Sequence, residues 1–482
     1  MAEDEAAALF ETLPEQAAPE RVGGGVPRLR RAERHQVRWR PFSLDELLEG
    51  DHRARLVWQF VLGLDVTPLL ATIKSVAGGV GHPAADPRIL LALWLYATVE
   101  GIGSARELAR LCKEHIGFQW LCGGVGMNAK TLGDFRVNHG PVLHQLLVDS
   151  FTALVHAEVA SLDRVAQDGV RVRASAGAAS FRRRQTLEEC RRDAEKALLD
   201  LRAQLDANPG SADRKQAAAL RVAEDREQRV RAALAVADEL HALQQEEARQ
   251  EAERAAKKAA REAERAAKTA LQGEAQTAKT KPAKTKTDEA EPKKPKEPRA
   301  STTDAEARIM KMADGGFRPA YNVQFASDTK STAIAGVSVD NNGSDMGKIV
   351  PMSDALAKDY GKRPGQQLAD GGFCKLENIE ELARNGVEVF MPVPKPRDAN
   401  RDPHAPLASD SPALAAWRKR MGEDAAKEIY KQRAATAECA NAQVRNRGLT
   451  EFIVRGLEKV EIIALWHALT HNMMCSWRLI AA

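Results

Sequence analysis

No apolar run in this sequence exceeds the nine residues from Ile89 to Ala97. A membrane-spanning helix needs about 20, so no transmembrane segment is expected. The opening residues, MAEDEAAALFETLPEQ, lack the basic start and apolar core of a signal peptide. Cysteine is scarce, six in 482 residues with no C-x-x-C pair, which argues against a disulfide scaffold or a zinc ribbon. A reducing cytoplasm is the expected compartment. An excess of one charge sign is missing too: 71 Lys and Arg face 67 Asp and Glu, a formal net charge of +4. Charge must therefore be read locally.

Aromatic residues are missing from one long stretch. None of the 23 lies between Phe181 and Phe317, a gap of 135 residues, so the segment cannot build an ordinary core. Within it, Leu187, Cys190, Ala194, Ala197, Leu201 and Leu205 recur at helical steps. Asn208-Pro209-Gly210 interrupts, and Leu220, Ala223, Val230, Leu234 and Ala237 resume. That is the seam of a helical hairpin or coiled coil, expected over 182–272. Past Leu243 the chain is rich in Ala, Glu, Lys and Arg, helix-prone with little to bury. Residues 273–300 read as a disordered Lys/Pro-rich linker; Lys279 to Arg299 holds four prolines, eight basic and four acidic residues. It is either a solvated tether or a sequence-blind phosphate contact.

Before this stretch the chain reads as mainly helical, over 42–157. Asp86-Pro87 opens an apolar helix, and Ser104-x-x-Glu107 is a capping box that starts another near Ala105. A third begins around Thr131 and runs on through FRVNHGPVLHQLLVDSFTALV. Some fifteen residues separate the second from the third, too many for a helix-turn-helix. The region is a DNA-binding module or a plain helical core. Ahead of it, residues 1–41 form a flexible arm. Arg21 to Arg40 carries seven arginines, Arg28, Arg30 and Arg31 among them, with Trp39 able to stack. Such an arm either tracks phosphates or is an unstructured tail.

After the linker the texture turns to α/β. Strands are expected at Arg164–Arg173, Tyr321–Ala326, Thr332–Val339, Gln366–Asp370 and Val387–Val393, with helices at Ser344–Tyr360 and Leu376–Arg384. The alternation implies a mixed sheet covered by helices, built from 158–181 and 301–482. Two aspartates interrupt or close strands beside glycine, Asp168 and Asp370, where propensity disfavours them. Glu438 lies on a helix with Tyr430, Arg433 and Arg445 at nearby helical spacing. Carboxylates with Tyr and Arg beside them suit a metal next to a phosphodiester. Taken alone, each position reads first as a turn, a cap or a solvated helix face. Asp314, Asp340 and Asp345 are rivals, Asp340 the strongest. His467, His471 and Cys475, at i, i+4 and i+8, form either a zinc or copper face or part of a packed helix.

Taken in order, four blocks carry a resemblance. They are GIGSARELARLC with FRVNHGPVL; AQDGVRVRASAG around Asp168; TDAEARIMKMADGGFRPAYNVQFASD, Thr303 to Asp328; and LADGGF around Asp370, followed by Tyr430-x-x-Arg433 and Glu438-x6-Arg445. The chain resembles the insertion-sequence DDE transposases, in particular the group called IS-eleven-eighty-two within the broad IS-four superfamily. The resemblance implies an RNase H-like core interrupted by the helical segment, with Asp168, Asp370 and Glu438 as its metal-binding carboxylates. Tyr430, Arg433 and Arg445 resemble the family's Y-R-E-K signature, with Arg445 in place of the usual Lys and one extra residue between Arg433 and Glu438. It implies two Mg²⁺ or Mn²⁺ ions, which oxygen donors suit. The implied partner is double-stranded DNA, bound by a homodimer or higher assembly; the hairpin either joins two copies of the chain or is an intramolecular helix pair. It implies a bacterial protein that is cytoplasmic and nucleoid-associated on DNA. The competing readings are a nuclease without strand transfer and a non-catalytic coiled-coil DNA-binding protein.

Overall fold

The computed structural model describes residues 43–76, 78, 81–207, 214–273, 297–396, 398 and 400–480. The Arg-rich arm with Arg28, Arg30 and Arg31, the Asn208-Pro209-Gly210 break and nearly all of the Lys/Pro-rich segment lie outside these residues.

Among the described residues, a 3-10 turn at Asp45–Leu47 is followed by seven α-helices: α1 (Arg53–Leu62), α2 (Thr67–Leu70), α3 (Pro87–Val99), α4 (Ala105–Glu114), α5 (Ile116–Cys122), α6 (Ala129–Asn138) and α7 (Gly140–His156). The apolar run of α3 is explained by its place at the centre, where every residue from Leu90 to Thr98 is buried. Asp86 sets its start by accepting from Arg88 N at 2.8 Å, with Pro87 in the first turn. α4 starts at the capping box, where Ser104 Oγ accepts from Glu107 N at 3.4 Å. The expected long gap between second and third helices is corrected. α5 fills half of it, begun by His115 Nδ1 accepting from Gly117 N and ended by Gly123 in the left-handed conformation. The single helix expected beyond Thr131 is two. α6 stops at Asn138, and Pro141 sits in the first turn of α7, where its missing N–H costs nothing.

The central strand is β1 (Arg164–Arg173). It leads to β2 (Phe181–Arg183) and the helix pair α8 (Arg184–Ala207) and α9 (Arg214–Gly273), and the chain returns on β3 (Arg299–Ser301). β2 and β3 pair antiparallel, Phe181 opposite Ser301, which clips the two ends of the excursion together. α8 and α9 run antiparallel: Arg184 meets Asp238 at 2.5 Å and Arg202 meets Glu224 at 3.0 Å. Leu187, Ala194, Val230, Ala233 and Ala237 are buried on the described helices, whereas residues 245–264 are all exposed.

The remaining strands are β4 (Arg308–Lys311), β5 (Phe317–Asp328) and β6 (Ile334–Asp340). Then come α10 (Ile349–Tyr360), β7 (Gln366–Leu368), α11 (Leu376–Arg384) and β8 (Glu388–Phe390). The six-stranded sheet has the order β4-β5-β1-β7-β8, with β6 beside β4 on the outer edge of β5. β1 is antiparallel to β5 and parallel to β7, and β8 continues parallel. Both ends of the sheet order are thus centred on the strand that holds Asp168. β5 is buried on both faces from Pro319 to Asp328, so its polar residues must find partners inside. Helices α12 (Pro412–Gly422), α13 (Asp424–Arg433), α14 (Cys439–Asn446) and α15 (Leu457–Ile480) complete the chain. One apolar core runs from α1 and α3 through Val170 and Val172 of β1 to α15, and a second joins β7 and β8 to Trp417 of α12. Among the described residues no helix is long and apolar enough to cross a membrane.

Candidate active site

β1 and β7 run side by side with Ala166 opposite Leu368. Asp168 lies two residues past Ala166, and Asp370 two past Leu368. Alternation therefore sends both carboxylates from the same face at the same level of neighbouring strands. The strand before Asp370 is shorter than expected: it ends at Leu368, and Asp370 caps the following 3-10 turn, Gly371–Phe373, by accepting from Gly372 N at 2.8 Å. That turn is what the Asp-Gly-Gly-Phe sequence builds.

Asp168 Oδ1 accepts from Gly169 N at 2.9 Å, and Oδ2 accepts from Asn441 Nδ2 at 3.0 Å. Burial pushes its carboxyl pKa up to about 6; Arg433 opposes the shift, and Asp370 and Asp345 add to it. Arg433 sits between two carboxylates, 3.8 Å from Asp168 Oδ2 and 2.8 Å from Glu438 Oε1. Its guanidinium carbon is 5.9 Å from the Tyr430 ring centroid. Burial raises the Tyr430 hydroxyl pKa, with Arg433 opposing and Asp370 and Asp168 adding. Arg164 anchors this helix to the strand, bonding Gln366 Oε1 at 2.6 Å and Gln432 Oε1 at 2.7 Å. Arg445 is exposed on α14.

The extra residue between Arg433 and Glu438 has a structural form. Ala434–Glu438 is a π-turn between α13 and α14, and such turns insert one residue into an otherwise continuous helix. Five residues here span what four span in an α-helix, so Glu438 still faces Arg433. Asn441, three residues on, shares that face and reaches Asp168; it was absent from the sequence reading. Its only sequence signal is the i+3 spacing from Glu438.

The other face of β1 explains Gly169. A Cβ there would lie 2.4 Å from Asp345 Oδ1 and from Gln324 Nε2, and 2.9 Å from Asn322 Oδ1. Asp345 Oδ1 accepts from both Asn322 and Gln324 at 2.7 Å. The chain of amides continues from Gln324 to Gln167 at 3.2 Å and from Gln167 to Gln367 at 3.0 Å, across β5, β1 and β7. Asp345 therefore supports the strand from beneath. Asp340 pairs with Lys348, and Asp314 with Arg318 at 2.6 Å in a turn.

His467, His471 and Cys475 lie in the buried part of α15. His471 Nε2 is 2.9 Å from the Thr332 carbonyl and 3.3 Å from Cys475 Sγ. Among the described residues no three His, Cys, Asp or Glu side chains are grouped as a ready metal cradle, here or at Asp168.

Two family models match the chain. Residues 42–138 match a transposase domain (DUF772), and residues 275–473 match a transposase DDE domain. No curated protein and no solved structure matches. The two transposase matches fall in order on the helical region and on the stretch that contributes all but the central strand of the six-stranded sheet, and the chain belongs to the insertion-sequence DDE transposases.

Proposed function

We propose that this transposase cuts DNA at the ends of its element and joins the freed 3′-hydroxyl to target DNA, with Asp168, Asp370 and Glu438 as the carboxylates that hold two divalent cations. The observation that carries the reading is the placement of Asp168 on β1 two residues past Ala166 and of Asp370 two residues past Leu368, just beyond the end of the parallel neighbour β7, with Glu438 tied to Asp168 through Arg433. The order β6-β5-β1-β7-β8, three antiparallel strands followed by two parallel ones, supports an RNase H-like core. The helix pair α8–α9 enters that core between Asp168 and Asp370 as an insertion.

The residues fit Mg²⁺ or Mn²⁺ by donor chemistry. Asp168, Asp370 and Glu438 offer hard oxygens, and beside Asp168 the buried Asn441 Oδ1 has no partner among the described residues. A desolvated Asp168 near Asp370 also calls for positive charge. Divalent ions bound there would neutralise charge on the attacking and leaving oxygens of a phosphodiester.

The chain's own residues supply the rest. Asn441 and the Gly169 N–H fix the Asp168 carboxylate. Arg433 and Tyr430 stand where a backbone phosphate would approach, and the guanidinium can exchange a carboxylate for a phosphate oxygen in the same forked geometry. Arg445, exposed on the same helical run, keeps the cationic charge of the family's Lys while presenting a fork. Water attacks first; the released 3′-hydroxyl attacks second; neither step needs a covalent enzyme intermediate.

The test uses labelled element ends. Asp168→Asn, Asp370→Asn and Glu438→Gln are each expected to abolish strand cleavage while retaining end binding. A variant that cleaves at near wild-type rate removes its residue from the assignment. Cleavage without strand-transfer products in the wild type replaces the reading with that of a nuclease.

A further inference from the structure

The seam between the helical region and the sheet holds positive charge that its protein surroundings leave partly unmatched. Arg136, on α6, is 6% exposed. One of its terminal nitrogens donates to the Gly103 carbonyl, and its guanidinium carbon lies 4.5 Å from the Trp94 ring centroid. Among the described residues its Nε has no partner. Arg447, just past α14, bonds Gln443 Oε1 at 3.4 Å through Nη2, while its Nη1 has no partner among those residues. His467 on α15 is also buried, and its Nδ1 has none among them either. All three residues line one cavity of about 40 Å³.

Three features make this a site rather than a packing gap. A buried guanidinium nitrogen without an acceptor is costly, and among the described residues each of the two arginines leaves one. The unpartnered groups are donors, or can be donors in the case of His467 Nδ1, so the complementary ligand is one that only accepts. The volume is a few times the 10–15 Å³, roughly, that one water needs, and the cavity is largely walled by protein. Glu451 is the one carboxylate on the wall, and it is 3.4 Å from Arg173 in an ion pair of its own. Both arginines also act on His467: burial first, then Arg136 and Arg447, push its pKa down to about 3. The walls come from both sides. Gly448 has φ +95°, and a Cβ on it would lie 3.3 Å from the Gly101 carbonyl oxygen, so the backbones of the two regions cross at close range.

We propose that Arg136, Arg447 and His467 form a buried site for one small inorganic anion of the chloride class, which fastens the helical region to the sheet. The anion offsets one of the two guanidinium charges and accepts from the three open donors. It bridges α6 to the α14 end and α15, which lie far from α6 in the chain, so its contribution is to the union of the two regions rather than to phosphodiester chemistry.

The experiment measures the thermal midpoint of the full chain in chloride and in gluconate at equal ionic strength. Chloride is expected to raise the midpoint by about 2 °C or more at saturation, and Arg447→Met is expected to erase the difference. Crystals soaked in bromide are expected to show an anomalous peak between the three side chains. Equal wild-type midpoints in the two salts overturn the proposal, as does a seam that holds only water in the bromide-soaked crystal. A larger Arg447-dependent effect from phosphate or sulfate overturns the assigned class. Should Arg447→Met fail to fold, the bromide position in the wild type decides.

Discussion

Replacing Gly169 with alanine tests the link between the buried amide row and the carboxylate beside it. The new Cβ would meet Asp345 Oδ1 and Gln324 Nε2 at 2.4 Å and Asn322 Oδ1 at 2.9 Å. These are side-chain tips, which on a surface would swing aside. Here they cannot: Gln324 and Asn322 are 0% exposed and are bonded to the same Asp345 oxygen. Relief comes from breaking one or both of those bonds or from pushing β1 away from the row. Overpacking alone costs about 1–3 kcal/mol, and each lost bond to the charged carboxylate about 1.5–3 kcal/mol. One bond lost with partial relief of the clash gives a destabilisation of about 2–4 kcal/mol. If β1 shifts, Asp168 shifts with it, so end cleavage should fall further than the folded fraction explains. Urea unfolding gives the first quantity, and cleavage of labelled ends well below the transition gives the second. A variant within about 0.5 kcal/mol of wild type and fully active would show that the row yields freely and that Gly169 is not held by it.

Acid should unfold the protein through α15. Burial lowers the pKa of His467 to about 3 and that of His471 to about 4. Both are depressed below the unfolded value, so the unfolded chain binds the extra protons: stability is full above about pH 6.5 and drains as pH falls toward 4. At pH 5 the loss is about 2 kcal/mol per histidine, and His467→Gln should reduce the stability lost between pH 7 and 5 in denaturant titrations by about that amount; an unchanged loss refutes it. Tyr321→Phe should destabilise by about 1.5–3 kcal/mol, because the tyrosine hydroxyl donates at 2.8 Å to the buried Asp304, whose oxygen also accepts from Gly456 N at 3.3 Å ahead of α15. Calorimetry showing an unchanged midpoint would contradict that role.

What the sequence made legible follows from what local chemistry determines. Helix starts at Asp86 and Ser104 were readable because a cap is a contact between near neighbours. The strands around Asp168 were readable because β-branched alternation is local as well. The pairing of β1 with β7 was not, since 202 residues separate Ala166 from Leu368 and no periodicity reports a partner at that distance. α5 was missed because it is seven residues long and amid apolar residues, too short to show a period. Asn441 and the amide row were missed for another reason: a single polar residue carries no pattern, and its importance appears only when the neighbour it bonds is known.

The π-turn shows how a departure from pattern and a structural device can be one fact. In sequence, an additional residue between Arg433 and Glu438 displaces the glutamate by about 100° on an α-helix. In the structure the displacement is absorbed within Ala434–Glu438, and the 2.8 Å contact between Arg433 and Glu438 is present. Such turns sacrifice regular helical hydrogen bonding and persist where the surroundings hold them. Here Thr436 and Ala437 are buried on the inner side, while Ala434, Ala435 and Glu438 face outward. The inner contacts therefore fix the turn, and the outward carboxylate is aimed by packing on the opposite side of its own helix. Spacing along the chain is a weak guide to such a residue; what matters is the face on which it emerges.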